Sequence, residues 1–428
     1  MATTIEEMRE LLPGYYNVRF GEPEYTTWLD ESRSWKETCY IGDWSFLWQR
    51  WFRGPDALKL FSDISVNSFK SFEIGHSKHV IHCNENGKVI HEGILSRFGD
   101  EEFLLFGRGC FWADYKLRRG SYNAQSEADD WFVYQVSGPK SVAVLEEVLG
   151  DTMRDVGFMR FKEISVAGHK IYALRQGMAG EVGFELQGPR EFGADVYEAI
   201  YSVGKKHGMR RMGARVASIN HLEACFPTIV MDYLPAIYDE DMAEYLSEFE
   251  AAMPAFAKTA KVGGSFEGFQ PSDYYRSPVE LGWTKNIKFD HDFIGRAALE
   301  KEVAAPRRTI RTLVWDPSDV LDVQASLYRK EAEPYPFMDM PRDQRSLMSA
   351  DKVLVSGEVV GVSTSRGYSY TFREMLSLCV IDLEHSEVGT EVVVVWGAPG
   401  GPQKEIKAKV AQAPFKTDNR RVDLTKVA

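Results

Sequence analysis

A carboxylate within a strand-like run is the first side chain in this sequence that could do chemistry. In GEVGFELQGP, apolar residues alternate with small or polar ones, and this period of two predicts a half-buried strand with Val182, Phe184 and Leu186 in a core. Glu185 is then expected on the opposite face, beside a backbone that Gly183 leaves bare for a flat ligand. The same pattern also fits an ordinary exposed glutamate paired with a lysine.

Arg108 is the second candidate, because it ends the apolar run LLFGR next to glycines. A planar guanidinium pairs well with a carboxylate, so Arg108 could hold the anionic end of a substrate. The alternative is a surface arginine at the end of a strand. The run DWSFLWQRWF offers Trp44 and Phe46 as the wall of an aromatic binding site. Bulky residues that alternate along a strand fit a plain core equally well.

Candidate proton-transfer groups lie in two segments. VIHEG contains His91 and Glu92, and INHLEACF contains His221 and Glu223. Imidazole and carboxylate groups are the usual general acids and bases of enzymes. The segment SINHLEA favours a helix, in which His221 and Glu223, two positions apart, would not share a face. We therefore do not expect these two to form a pair.

Composition argues against several other classes of function. The 428 residues carry a formal net charge of −12, which argues against nucleic acid or an anionic membrane surface as a partner. The 5 cysteines form no C-x-x-C pair, and His76, His79 and His82 fall in a strand-like run that sends them to different faces. We expect no metal and a cytoplasmic enzyme that acts on a small molecule. Its oligomeric state stays open.

Three strand-like runs end in Gly-Pro and lead into a helical pattern. These runs are WFRGPDALKLF, YQVSGPKSVAVLEEVLG and FELQGPREFGADVYEAI. Glycine turns the chain and proline suits the first turn of a helix, so each run predicts a strand-turn-helix unit. Short strands with turn signals follow residue 303, which predicts a separate all-β domain behind an α+β region of mixed sheets.

The order of these segments resembles the glycine cleavage T-protein (aminomethyltransferase) family over almost the whole chain. The blocks that carry the resemblance include GEVGFELQGP, GARVASINHLEA, KFDHDFIGR and GEVVGVSTSRGYSYTFREMLSLCVI. QGMAG, LPAIY and GGSF are most similar to the tetrahydrofolate-dependent aromatic O-demethylases of the vanillate and syringate kind. The resemblance implies a three-domain α+β cloverleaf around a folate channel, with a C-terminal all-β barrel. The domains would comprise residues 1–52 with 130–230, 53–129 with 231–302, and 303–428.

The resemblance also implies roles for particular residues. Glu185 stands where the family's strand glutamate binds the edge of the pterin ring, and Arg215 and Phe226 belong to the same cofactor site. Tetrahydrofolate is thus the cofactor that the resemblance implies, although its use stays open. The substrate-binding positions, taken from the family's clamp and channel and from the aromatic run, are Arg108, Trp44, Phe46, Tyr16 and Tyr233.

This chain departs from the family at positions that handle protons. The family's D-x-[ST]-H pattern reads DWSF here, from Asp43 to Phe46, so its histidine is missing, and the tyrosine of the demethylases aligns with Ala217. The family's acidic pair is replaced by His91 and Glu92. General acid–base assistance contributes about 10²–10⁴-fold in rate. Either another residue replaces the lost groups, or the chemistry differs.

The main hypothesis is a carbon–carbon lyase that releases formaldehyde from a hydroxymethyl group of a lignin-derived aromatic compound without folate. Its candidate catalytic groups are Glu92, His91, Asp43 and His221. The first alternative is a tetrahydrofolate-dependent aromatic O-demethylase. The second is a non-catalytic folate-binding relative, against which the full three-domain length and the aromatic-rich first domain argue.

Overall fold

The fold is described from a computed structural model. The structure describes residues 3–11, 14–15, 21–177, 180–253, 261–343, 345–346 and 348–427. For residues 14–15 and 345–346 it describes the backbone alone. Tyr16, a predicted substrate-binding residue, lies outside the described residues. Within these ranges, no helix is both long and apolar enough to cross a membrane.

Strands and helices alternate through the first 300 residues, and strands dominate after them. The strands are β1 Gly14–Tyr15, β2 Tyr40–Asp43, β3 Gln49–Arg53, β4 Ser77–Cys83, β5 Val89–Arg97, β6 Glu102–Phe106, β7 Gln125–Asp129, β8 Trp131–Ser137, β9 Phe161–Val166, β10 His169–Leu174, β11 Gly183–Pro189, β12 Arg210–Arg211, β13 Val262–Gly263, β14 Arg308–Trp315, β15 Arg345–Ser346, β16 Met348–Ser349, β17 Asp351–Val355, β18 Glu358–Ser369, β19 Glu374–Asp382, β20 Glu391–Trp396 and β21 Lys404–Ala411. The α-helices are α1 Ile5–Glu10, α2 Trp28–Glu37, α3 Ala57–Ile64, α4 Gly109–Arg119, α5 Ser141–Leu149, α6 Gly193–Gly204, α7 Ala214–Glu223, α8 Ala243–Ala252, α9 Arg296–Ala304 and α10 Pro317–Ser326.

A six-stranded sheet forms the first α/β part, in the order β12-β2-β8-β11-β10-β9. One face packs against α5 and α6 around a core that includes Ile41 and Val136. Val182, Phe184 and Leu186 lie in the same core, which confirms the pattern predicted for this strand. The opposite face of β11 carries Glu185.

A five-stranded antiparallel sheet forms the second α/β part, in the order β4-β5-β6-β3-β7. Helices α3, α4 and α8 contribute to the core on one face, which contains Phe52, Phe61 and Phe103. Strand β3 belongs to this sheet because it pairs with β6 and β7. The predicted boundary after residue 52 therefore cuts through β3, where the structure places the whole strand in the second part.

The two α/β parts share one local unit. Gly54 after β3 and Gly138 after β8 have φ angles of 130° and 127°, a region that favours glycine. A Cβ atom at these positions would lie 2.6 Å from the Asn123 carbonyl oxygen and 2.7 Å from the Thr38 carbonyl oxygen. Each glycine therefore lets its turn approach a neighbouring strand. The predicted strand-turn-helix units are confirmed here and after β11, where a short 3₁₀ turn precedes α6.

Helix α7 lies between the first sheet and the C-terminal part. All of its residues except Arg215 are buried, and it contacts β18 and β19. The structure thus confirms the helix predicted for SINHLEA. The C-terminal part is a closed barrel in the order β14-β19-β18-β17-β20-β21, so the predicted α+β fold with an all-β barrel is confirmed as well.

The chain after the barrel returns to the first α/β part. The Glu223 carbonyl oxygen at the end of α7 accepts a hydrogen bond of 3.1 Å from the Phe415 amide. Further along, Leu424 is 1% exposed in the core under the first sheet, and Arg154 Nη1 donates to its carbonyl oxygen at 2.8 Å. We call residues 412–427 the C-terminal strap. It ties the barrel to the first sheet.

Candidate active site

A cleft of about 760 Å³ lies where the two sheets, the end of α7 and the C-terminal strap meet. Gln176 and Phe226 line it from the first part, and His79 and Ile94 line it from the second sheet. The loop around Trp283 covers the side next to His79, with the two ring centroids 5.0 Å apart. The cleft therefore brings together elements that are distant in the sequence.

Glu185 lies directly behind the Gln176 wall of this cleft. Its side chain is buried, with 6% exposure, and its carboxylate oxygens accept hydrogen bonds from Gln176 Nε2 at 2.9 Å and Gln187 Nε2 at 3.3 Å. Burial raises the pKa of Glu185 to about 7, and the two amide donors offset this only in part. No described cation forms an ion pair with it. The exposed, lysine-paired alternative is therefore wrong.

A row of polar side chains crosses the sheet beside Glu185. Gln135 on β8 lies opposite Glu185 in the sheet, and the hydroxyl of Tyr40 on β2 donates a hydrogen bond to Gln135 Oε1. Asn220 Nδ2 of α7 donates to the Tyr40 hydroxyl oxygen at 3.2 Å. Gln135 Nε2 and Asn220 Oδ1 are buried without a hydrogen-bond partner among the described residues. Such atoms are costly unless a ligand or water satisfies them.

The hydrogen-bonding groups of Glu185, Gln135 and Asn220 match those of the pterin ring of a folate, and the described cleft lining reaches toward them only as far as Gln176. The ring offers amino and ring N–H donors to a carboxylate such as Glu185, and a carbonyl oxygen to a donor such as Gln135 Nε2. Asn220 Oδ1 offers one further acceptor. Gly183 does not contribute the open surface that the sequence suggested. A Cβ atom there would lie 2.6 Å from Ser137 Oγ, so the space beside Gly183 is filled by the neighbouring strand.

Glu92 and His79 form a hydrogen-bonded pair at the cleft. His79 Nε2 and Glu92 Oε2 are 3.0 Å apart, and the side chains keep 17% and 23% exposure. Asn286 Nδ2 lies 3.4 Å from His79 Nδ1. An imidazole held by a carboxylate can carry a proton on its second nitrogen. The sequence indicates Glu92 as a candidate but not His79, although the NENGK turn pairs the two strands that carry them.

His91 does not join Glu92 in this pair. Consecutive residues of a strand point to opposite faces, and His91 lies in the core of the second part, with its ring centroid 5.0 Å from Phe249 and 6.0 Å from Tyr245. Both of its ring nitrogens are buried without a hydrogen-bond partner among the described residues. Burial lowers the pKa of His91 well below its ordinary value. The structure gives it no access to the cleft.

His221 and Trp44 stack between α7 and the turn after β2. Their ring centroids are 5.1 Å apart with an angle of 15° between the planes, and Phe46 lies next to Trp44 at 5.7 Å. Burial lowers the pKa of His221 to about 3. Phe226, whose ring centroid is 5.4 Å from His221, separates this cluster from the open cleft. The predicted aromatic wall thus packs behind the cleft.

Asp43 lies on the other face of the first sheet. It is opposite Tyr134 of β8, whose ring belongs to the core near α6. Its Oδ1 atom accepts a hydrogen bond of 2.8 Å from the Ser45 amide and so begins the turn after β2. The run DWSFLWQRWF therefore contains this turn between β2 and β3 rather than one continuous strand.

Arg108 and Tyr233 both lie outside the described lining of the cleft. Arg108 precedes α4, with its guanidinium carbon 5.8 Å from the centre of the Trp48 ring. Tyr233 is fully buried, and its hydroxyl has no hydrogen-bond partner among the described residues. Burial raises the pKa of Tyr233 well above its ordinary value, although the charge of Arg108 opposes this shift. The described lining of the cleft includes neither side chain.

Arg215 holds parts of the chain together at the start of α7. Its Nη1 donates to Glu24 at 3.1 Å, and its Nη2 donates to the carbonyl oxygen of Met340. This places it away from the described cleft lining, which does include Phe226. In the part of the chain that the structure describes, no group of three His, Cys, Asp or Glu side chains is arranged to hold a metal ion.

Comparisons with known proteins cover both the α/β region and the barrel. The model of the GCVT N-terminal domain matches residues 2–261, and that of the glycine cleavage T-protein C-terminal barrel domain matches residues 338–416. Sesamin methylene transferase of Sinomonas sp. (strain No.22) is 33% identical over 92% of this chain and 89% of its own.

Two further relatives agree in length and fold. Syringate O-demethylase of Sphingobium sp. (strain NBRC 103272 / SYK-6) is 33% identical over 93% of this chain and 91% of its own. The crystal structure of the glycine cleavage system aminomethyltransferase T from Bartonella henselae has a TM-score of 0.68 at 18% identity, and the match covers 94% of this chain and 92% of that one.

Proposed function

Because the chain is an enzyme that belongs to the glycine cleavage T-protein family, we propose that it is a tetrahydrofolate-dependent O-demethylase of aromatic methyl ethers. This is the first alternative from the sequence. By their names, one relative demethylates an oxygen of syringate and another transfers a methylene group of sesamin. Both names describe the removal of a one-carbon unit from an aromatic compound, and neither supports the release of formaldehyde by a lyase.

The observation that carries the proposal is the buried Glu185 carboxylate. Its described partners are two amide groups, and Gln135 Nε2 and Asn220 Oδ1 beside it are unsatisfied within the described structure. A pterin ring bound here would supply N–H donors for the carboxylate and partners for the other two atoms. Glu185, Gln135 and Asn220 are thus the residues that would hold the ring and fix its orientation.

The His79–Glu92 pair answers the loss of the family's proton-handling residues. When bound, tetrahydrofolate would supply the nitrogen that accepts the methyl group as the bond between the methyl carbon and the phenolic oxygen breaks, and that nitrogen would give up a proton. Nδ1 of His79, which lies 3.4 Å from Asn286 Nδ2 in this structure, would exchange this contact for the substrate oxygen and deliver a proton to the departing phenolate. Glu92, 3.0 Å from Nε2, stabilises the charged imidazolium and keeps the ring oriented. The substitutions at Phe46 and Ala217 therefore do not require a different chemistry.

One experiment separates the proposed reaction from the lyase. Purified protein is incubated without oxygen with syringate and tetrahydrofolate, and the phenolic product and methyltetrahydrofolate are measured by mass spectrometry. We expect equal amounts of both products, with no reaction when folate is omitted. Glu185→Gln should abolish the reaction, and the control Glu163→Gln, an exposed residue on β9, should leave it unchanged.

The lyase makes the opposite prediction in a parallel reaction. Free formaldehyde released from a hydroxymethyl-bearing phenol without folate, together with untouched methoxyl groups, would overturn the proposed function.

A further inference from the structure

Gln176 closes the inner end of the cleft. The described lining of the cleft includes Gln176 but not Glu185, although Glu185 accepts a 2.9 Å hydrogen bond from Gln176 Nε2. Gln135 and Asn220, in the polar row beside Glu185, are buried as well. A flat ring that entered the cleft of this structure would therefore meet the Gln176 amide before it reached the carboxylate.

The hydrogen bond from Gln176 takes the place of one that a ligand would make. Its Nε2 atom donates to Glu185 Oε1, and a pterin ring would donate its own N–H groups to the same carboxylate. Leu174 lies opposite Glu185 in the sheet, and Gln176, two positions further along the chain, reaches Glu185 diagonally. The Gln176 amide thus partly satisfies a buried carboxylate that would otherwise be costly.

The backbone on both sides of Gln176 is held in place. On one side, the Arg175 amide donates a hydrogen bond of 2.9 Å to the Arg160 carbonyl oxygen. On the other side, a Cβ atom at Gly177 would lie only 1.9 Å from the Glu181 carbonyl oxygen, so the chain is closely packed there. Access to the carboxylate therefore requires rotation of the Gln176 side chain about its own bonds.

We propose that Gln176 is a gate residue, whose amide inhibits binding of the cofactor's pterin ring until it swings away from Glu185. This inference rests on the proposed function. With the amide on the carboxylate, the ring is excluded from the polar row. With the amide turned aside, the ring donates to Glu185 in its place. The cofactor thus binds a minor, open arrangement, and its apparent affinity is reduced by the fraction of molecules that are open.

The rates of binding and release test the gate on the intact protein. Tetrahydrofolate is mixed with the protein in a stopped-flow instrument without oxygen, and binding is followed by the quenching of tryptophan fluorescence. Gln176→Ala should bind about tenfold faster than the wild type, since breaking a hydrogen bond to a charged group reduces the open fraction by about that factor. The dissociation rate should not change, because the gate acts before the ring is bound.

Two further variants separate the gate from other effects of the substitution. Gln176→Met keeps the length of the side chain but cannot donate a hydrogen bond, so it should also bind faster, and it provides the test if Gln176→Ala does not fold. The matched control is Gln187→Ala, which removes the other amide donor, at 3.3 Å, from the same carboxylate. Because the described cleft lining does not include Gln187, this variant should keep the association rate of the wild type.

The other outcomes separate this inference from the proposed function. Unchanged or slower association of Gln176→Ala, with wild-type binding that still depends on Glu185, would overturn the gate and leave the proposed function standing. An equal gain in Gln187→Ala would also overturn the gate, because the loss of any donor from the carboxylate would then explain the effect. Absence of tetrahydrofolate binding by the wild type and all variants would overturn both proposals.

Discussion

Replacing Glu185 by glutamine should stabilise the ligand-free protein while destroying its function. Burial raises the pKa of Glu185 from 4.5 to about 7, so the native state holds a proton that the unfolded state releases between these values. Stability from this group is therefore present below pH 4.5 and is lost as the pH rises through about 7. At about 1.4 kcal/mol per pH unit, the loss amounts to about 3 kcal/mol above that range.

Glutamine removes this penalty but brings a smaller one. Its NH₂ group can no longer accept the 3.3 Å hydrogen bond from Gln187, which costs about 1 kcal/mol. We expect Glu185→Gln to be more stable than the wild type by about 2 kcal/mol at about pH 8, and to be similar or slightly less stable at about pH 5. Asp351, whose pKa burial also raises to about 7, affects both proteins equally.

Urea unfolding at the two pH values measures this difference, and Glu163→Gln serves as the control. Calorimetry of folate binding adds a second measurement. A ligand that donates N–H groups to Glu185 lowers its pKa, so the wild type should release a proton on binding at about pH 6.5, as seen in buffers of different ionisation enthalpy. A variant that is less stable than the wild type at about pH 8 would refute the reasoning, because the carboxylate would then be satisfied without ligand.

Three further predictions concern other parts of the molecule. His79→Gln should lower kcat by about 10²-fold or more with little change in KM, measured with His169→Gln as control; a change confined to KM would contradict a role in proton transfer. Because burial lowers the pKa of His91, the wild type should lose stability as the pH falls below about 6.5. His91→Leu should remove about 1.4 kcal/mol of that loss per pH unit, measured by urea unfolding. Stability that falls equally with pH in both proteins would refute this. Leu424→Ala should cost about 2–4 kcal/mol, whereas the exposed Leu321→Ala should cost almost nothing; equal effects would mean that the strap does not support the core.

Local patterns predicted much of the fold. The alternation around Phe184 and the helical pattern around His221 each depend on a short stretch of chain, and both are confirmed by the burial of the residues concerned. Gly54 and Gly138 were predicted as turns for the same reason, since their conformation is required by the chain next to them. Side-chain period and turn chemistry are local properties, so they can be read without knowing the tertiary contacts.

The site was harder to predict because its groups meet through tertiary contacts. The sequence indicates Glu185 as a candidate. Its burial, however, depends on Gln176 in a loop and on the row of polar side chains that ends at Asn220 of α7. The pair of His79 with Glu92 depends on the register of β4 against β5, which is set by the turn between these strands. His91 is the neighbour of Glu92 in the chain, but alternation along β5 sends the two side chains to opposite faces.

The C-terminal strap has a consequence for how the protein folds. The contact from Arg154 to Leu424 spans 270 positions, and Leu424 fills the core under a sheet whose six strands all lie within residues 40–211. Contacts of such long sequence separation form late, because loop closure must precede them. During synthesis part of the apolar core under the first sheet therefore stays uncovered until the strap has been synthesised. In that interval the uncovered core is a defined apolar surface that a chaperone can protect.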